Sequence, residues 1–208
     1  MKIRPYQPDD LEALYAISLA TGNAGADASH LYSDRRMMGH IYSAPYASLE
    51  PGLTRVVEDR AGVAGFVVGA VDTEAWEAKL EREWWPALRR RYAAPPAADA
   101  ARRTPDQRRA FMIHHPARTP SAVTREYPAH AHMNLLPRLQ GRGMGSRLFN
   151  DWIGIAVESG AQAVHVAVNR DNVGAVRFWR KLGFVDLNLD ELPPGRTIWL
   201  GRPHAENR

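Results

Sequence analysis

Gln140-Gly141-Arg142-Gly143-Met144-Gly145, continuing into Ser146-Arg147-Leu148-Phe149, is the stretch on which the fold turns. Ahead of it, His132-Met133-Asn134-Leu135-Leu136 is apolar enough for a buried strand, which Pro137 ends. Behind it, Leu148, Trp152, Ile155 and Ala156 recur at helical spacing. The glycines therefore sit where a strand turns into a helix. Gly141, Gly143 and Gly145 leave backbone N–H groups uncovered by side chains at the positive end of a helix dipole, an arrangement suited to a pyrophosphate.

A plain glycine-rich turn has the same composition. A dinucleotide fingerprint opening at Gly141-x-Gly143 is another alternative, but it needs Gly or Ala three residues further on and does not find it. Neither explains a partner motif. Asn172-Val173-Gly174-Ala175 leads into Phe178-Trp179 and Leu182-Gly183-Phe184 after a second apolar strand, Val164-His165-Val166-Ala167-Val168. It reads as a helix with Gly183 as its C-cap. In this order the two motifs resemble the GNAT superfamily of acetyl-CoA-dependent acetyltransferases. The resemblance implies an α/β (α+β) fold: a mixed central sheet of about seven strands with a splayed parallel pair, flanked by helices, with a helical insertion between strands 3 and 4.

The decorations resemble one branch of that superfamily. Arg4-Pro5-Tyr6, Val57-Glu58-Asp59 before Gly65, Asp72-Thr73, Trp85-Pro86 with Tyr92 and Pro95, and the final Ile198-Trp199-Leu200-Gly201-Arg202 are similar to the acetyltransferase-like C-terminal domain of eukaryotic O-GlcNAcase and its stand-alone bacterial homologues. No glycoside hydrolase domain fits beside it in 208 residues, so the resemblance implies nothing about sugar cleavage in this stretch. That eukaryotic domain has a degraded cofactor loop, whereas Gln140 to Gly145 keeps the full pattern.

The length of 208 residues suits a single GNAT domain, 1–208, with the insertion at about 73–128. Hydrophobic content of 45% and charged content of 24% are those of an ordinary globular chain. No apolar run approaches the roughly 20 residues that span a bilayer. Met1-Lys2-Ile3-Arg4 lacks a signal-peptide core, so a cytoplasmic location is expected. With no cysteine, neither disulfides nor a thiolate nucleophile is available. The net charge of +4 suits an anionic cosubstrate, and no nucleic-acid motif accompanies it.

Along the chain, Ile3 to Tyr6 reads as a first strand. Asp9 starts a helix with Leu11, Leu14, Tyr15, Ser18 and Leu19 on one face, stopped by Gly22, and residues 23–30 form a loop over the site. A second helix runs from Asp34 to Tyr42, followed by a hairpin of Leu53–Glu58 and Val63–Val71. Trp76, Leu80, Trp84 and Leu88 mark a helix with a packing stripe, interrupted at Pro86. Arg89, Arg90 and Arg91 read as a solvated face, and Ala93 to Ala101 as a low-complexity linker. Thr104-Pro105 opens a helix to about His114. Asp186 to Leu200 supplies two last strands broken at Pro193-Pro194-Gly195, with a tail from Gly201.

The resemblance implies the following site. Acetyl-CoA lies between the splayed strands, with Leu135 and Leu136 backbone groups on its pantetheine arm. Amides of Gly141, Arg142, Gly143, Met144, Gly145 and Ser146, following Gln140, take the pyrophosphate; Asn172 bonds the pantetheine, and Phe178 packs. The Leu135 amide, beside a strand bulge usual in the family, is the oxyanion donor. His130 and His132 share a strand face and are candidate bases or packing residues; no third ligand accompanies them, so no metal is expected. Asn134 and Asp72 are further pocket candidates. Trp179 stands where the family often has a tyrosine acid, and indole cannot supply that proton; Tyr32 or Tyr127 could replace it. Two readings stay open: an N-acetyltransferase acting on an unidentified amine, small molecule or peptide, by direct attack on the thioester, and an acetyl-CoA-binding pseudo-acetyltransferase that serves as a ligand or protein binding module.

Overall fold

A computed structural model describes residues 1–96, 100–189 and 195–203. Its centre is a seven-stranded sheet: β1 (Lys2–Pro5), β2 (Arg55–Asp59), β3 (Gly62–Ala70), β4 (Ala129–Leu135), β5 (Ala163–Asn169), β6 (Val185–Asp186) and β7 (Thr197–Pro203), ordered β1-β2-β3-β4-β5-β7-β6. Every neighbouring pair is antiparallel except β4 and β5. That parallel pair is joined only at Ala129↔Val164 and His130↔His165. Beyond these residues the two strands part, and a V opens in the middle of the sheet.

Alternation divides the strands into two faces. Ala129, Ala131, Val164, Val166 and Val168 pack with α8 (Met144–Glu158) and α9 (Val173–Lys181), around Leu148, Phe149, Trp152 and Phe184. Trp152 is fully buried and its indole donates to the Leu53 carbonyl at 2.9 Å, which satisfies the polar handle that burial would otherwise leave unpaired. The opposite face meets α1 (Leu11–Ala20), α2 (Met37–Tyr42) and α3 (Ala44–Leu49), with Leu14, Ile17 and Ala47 against Val56, Phe66 and Val68. At the sheet's start, Arg4 clamps Asp10 at 2.6 and 2.8 Å and reaches Glu58 at 2.8 Å, fixing the entry to α1.

The segment between β3 and β4 is helical, as expected: α4 (Thr73–Glu83), α5 (Trp85–Arg91), α6 (Pro105–His114) and α7 (Ser121–Thr124). Asp72 caps α4 through the Ala75 amide, Pro86 lies in the first turn of α5, and Thr104 and Gln107 form a reciprocal capping box on α6. Most of the expected stripe packs: Trp76, Leu80 and Leu88 are buried with Ile113, but Trp85, outside the stripe, takes the buried place, while Trp84 is only partly buried and donates to the His40 carbonyl at 2.8 Å. Arg90 and Arg91 are exposed, as a solvated face requires, and Arg89 alone is half-buried. Arg89 donates to the Ile113 carbonyl and to Glu81, and Arg91 pairs with Asp34. Ile113 and Asp34 are 24 and 57 residues away in sequence, beyond the reach of local pattern.

Two further expectations change. The stretch between the expected second helix and the hairpin is itself helical: in α3, Pro45 occupies the first turn, where its missing N–H costs nothing. Gly201 to Pro203 belong to β7, paired with Ala163 to His165, and are no tail. The middle of the expected linker, 97–99, and Pro193-Pro194 of the expected break lie outside the described residues. No helix among the described residues is long and apolar enough to cross a membrane.

Candidate active site

The V and the glycine loop form one hollow of about 630 Å³, lined by residues that include Met133, Leu135, Gly141, Gly143, Ser146, Asn172 and Trp179. Gly141 and Gly143 have φ of 69° and 73°, the left-handed region that favours glycine. A Cβ at either would meet nothing within 4 Å, so both backbones border open space. The first amide after the turn with a backbone acceptor is Arg147, which donates to Gly143 at 3.2 Å; among the described residues the amides from Gly141 to Ser146 have none. Unpaired donors at the start of the 15-residue α8 fit a pyrophosphate. Gly145 lines the hollow and also serves packing, because a Cβ there would press on the Phe178 ring at 2.9 Å and hold α8 and α9 apart. Phe178 accordingly packs, as expected.

The Gln140 side chain turns back, and its amide donates to the Leu135 carbonyl at 2.8 Å. That bond ties the loop to the strand. The Leu136 amide donates to Ala64 at 2.8 Å, so it is consumed by the sheet and unavailable to a pantetheine arm, a correction to the expected role. Antiparallel alternation then turns the Met133 and Leu135 amides the other way, toward β5, where pairing has ended. The Leu135 N–H thus faces the V. The bulge expected beside it is absent: β4 keeps an unbroken register against β3 from His130 to Leu135, and the register shift lies in β2, between Val57 and Glu58.

Asn172 caps α9, its Oδ1 accepting from the Ala175 amide at 3.0 Å, while its Nδ2 faces Gly25 of the expected covering loop. Trp179 is buried among Phe149, Phe178 and Phe184 yet lines the hollow, and its indole N–H has no protein acceptor among the described residues.

A second hollow of about 460 Å³ continues across the V toward α1, α2 and α6, sharing Thr21, Asn134 and Trp179 with the first. A third, about 340 Å³, extends beneath the insertion and meets the second at Tyr42, Ala131, His132 and Ala167. His132 therefore stands at the junction, its ring stacked on Tyr42 at 5.6 Å. Burial holds its pKa down at about 4, opposed by the neighbouring Asn134 amide. It is a neutral imidazole at pH 7. Asn134 donates through Nδ2 to Thr21 Oγ1 at 2.5 Å, and its buried Oδ1 lacks a partner.

His130 is differently placed. Thr73 Oγ1 donates to the Pro128 carbonyl at 2.6 Å, so it must accept from His130 Nδ1 at 2.8 Å, which leaves Nε2 to accept from Tyr46 at 2.7 Å. Both ring nitrogens are engaged, and burial pushes the pKa down to about 3. Of the two alternatives, packing describes His130. Asp72 is exposed and spent on the α4 cap, away from all three hollows. Tyr127 packs against Gly201 and Tyr32 receives a bond from Arg109, and neither lines a hollow. The residues that sequence reasoning missed are Tyr42 and Arg109. Arg109 Nη1 donates to the Tyr42 hydroxyl at 2.8 Å across 67 residues, a separation that no motif reports. Among the described residues no group of His, Asp and Glu could hold a metal ion.

The sheet is thus split between two parallel strands, with unpaired amides at a helix start beside the gap. The profile of the "Acetyltransferase (GNAT) family" matches residues 105–184, which include α6, the V, the glycine loop and α9. A crystal structure of SsHAT is 36% identical with a TM-score of 0.89, the alignment covering 99% of this chain and 98% of that one. The chain belongs to the GNAT acetyltransferase family. It is also 21% identical over 202 residues to the protein O-GlcNAcase of Rattus norvegicus, spanning 96% of this chain but only 22% of that protein. The structure of yncA from Salmonella typhimurium with its cofactor acetyl-CoA shares the fold at TM-score 0.55 and 15% identity, covering 100% of this chain and 96% of that one.

Proposed function

We propose that the chain is an N-acetyltransferase that binds acetyl-CoA in the V and transfers its acetyl group to an amine by direct attack. The observation that carries the reading is the row of unpaired amides at Gly141 to Ser146 opening onto free space beside the V. Acetyl-CoA supplies an activated thioester; the residues of this chain position it and move protons. Amides of the glycine loop and the exposed Arg142 take the phosphates, Met144 contributing its backbone while its side chain is buried. Asn172 Nδ2 and the Leu135 and Met133 backbones hold the arm. The Leu135 N–H donates to the oxygen on which negative charge develops.

The attacking amine must lose its extra proton. His132, neutral at pH 7 and facing the junction, takes it directly or through one water; burial makes it a weaker base than a free imidazole, so it relays the proton to solvent rather than holding it. Trp179 cannot return a proton to the leaving sulfur. Tyr42 is the one phenol lining the second hollow among the described residues, and its hydroxyl is the donor. A thiol with a pKa of about 8.5 leaves with modest help in any case. Thiol release from acetyl-CoA, measured with a free-thiol reagent across a broad amine panel, tests the reading. Amine-dependent release is expected. Binding with no release across the panel would establish the alternative, a pseudo-acetyltransferase that holds acetyl-CoA as a ligand.

A further inference from the structure

We infer that the amine accepted at this site carries a carboxylate, which pairs with Arg109. The inference rests on the acetyltransferase reading above. Arg109 lies on α6, and its guanidinium is half-buried on the wall of the second hollow. Its Nε donates to Tyr32 at 3.1 Å, and its Nη1 to Tyr42 at 2.8 Å and to the Met112 sulfur at 3.0 Å. All three acceptors are neutral. Nη2 has no protein acceptor, and no carboxylate pairs with Arg109 among the described residues. The two phenols fix the guanidinium plane, so its remaining edge is aimed rather than free to rotate.

The rest of that hollow carries no negative charge. Its lining contains no Asp or Glu, and its second arginine, Arg196, lies exposed at the rim and pairs with Asp171 at 3.6 Å. A half-buried cation without a counterion is costly to maintain, and a fixed guanidinium edge matches a carboxylate in two parallel hydrogen bonds. Arg109 flanks Tyr42, which stacks on His132, so a carboxylate seated there leaves an amine on the same molecule near the junction of the three hollows. Amines bearing only positive charge, such as polyamines, meet a repulsive wall. The acceptor class is therefore a free amino acid or a compound with the same amine-plus-carboxylate pattern.

The test uses glycine, β-alanine, γ-aminobutyrate, L-methionine and L-phenylalanine, each beside its methyl ester, with thiol release read as kcat/KM in the intact protein. At least one acid should exceed its ester by about ten- to a hundredfold, the value of one charge-assisted pair. Arg109→Met should collapse that ratio toward one, Arg109→Lys should retain part of it, and acetyl-CoA affinity by calorimetry should stay within about twofold in both variants. Comparing the ratio between proteins cancels the different amine basicities of acids and esters. Esters used as well as acids, or a ratio unmoved by Arg109→Met, overturn the inference. So does a large loss of acetyl-CoA affinity in Arg109→Met, which would assign the arginine to the cofactor. If no amine turns over, the acetyltransferase reading fails separately, and calorimetry of N-acetyl-L-methionine against its methyl ester in the presence of CoA still reads the pocket. Preference for the acid, lost in Arg109→Met, supports the inference; no preference overturns it.

Discussion

Acid should unfold this protein well above the carboxylate range, because its sheet holds histidines that stay neutral when folded. Burial sets the pKa of His130 at about 3 and that of His165 at about 4, while in the unfolded chain both titrate near about 6.5. The sign follows directly. Between those limits the unfolded state binds protons that the folded state refuses, so stability is fully present above about pH 6.5 and falls as the solution is acidified. Each histidine costs about 1.4 kcal/mol per pH unit within that window, or about 2 kcal/mol between pH 7 and 5. His130 and His165 together thus remove about 4 kcal/mol by pH 5, from a total that for natural domains is about 5–15 kcal/mol. His40 and His132, both held at about 4, add in the same direction. Urea unfolding at half-unit steps from pH 7.5 to 4.5 reads the slope, and the histidine ring resonances in NMR read each group. Stability that is flat from pH 7 to 5, or His130 and His165 titrating near 6.5 in the folded protein, would refute the reasoning.

Other consequences follow from single contacts. Gly69→Ala places a Cβ against the His130 carbonyl and the Trp152 ring, which forces β3 and β4 apart; overpacking of this kind costs about 1–3 kcal/mol, a fall in Tm of about 3–10 °C, and a Tm unchanged within a degree counts against the packing described. Tyr42→Phe should lower kcat by about a hundredfold while moving the acetyl-CoA KM little, since the contact it removes, to the CoA sulfur, strengthens only as the thiolate leaves; an unchanged kcat removes Tyr42 from the mechanism. Asp10→Asn breaks the Arg4 clamp, and with it a carboxylate held below its ordinary pKa chiefly by the hydrogen bonds from Arg4. Its contribution is present above about pH 4 and lost below, so the variant's deficit in urea should shrink as pH falls past 4.

The legible parts of the molecule are those whose physics is local. Gly141 and Gly143 announce a left-handed turn because little else fits there, and Thr104-Pro105 announces a helix start because the cap spans four residues. The order of strand, loop and helix around the V follows from such signals. The parts that stayed hidden are set by distant pairing. Leu135 and Leu136 are adjacent and both apolar, yet register turns one amide into the V and the other into β3. His130 and His132 look equivalent two residues apart on a strand. Only Thr73 and Tyr46, 57 and 84 residues away, make one a fixed strut and leave the other at the junction. Arg109 sits in an unremarkable helix until Tyr32 and Tyr42 meet it from the opposite side.

The most direct test of the account is acetyl-CoA titrated by calorimetry into the protein and into Gly143→Glu. The variant forces a side chain onto a left-handed position and sets a carboxylate in the open space beside the unpaired amides. The account predicts one-to-one binding by the parent chain and loss of at least a hundredfold in affinity in the variant, with the helix content by circular dichroism preserved. Acetyl-CoA binding equally well to a folded Gly143→Glu protein would contradict it.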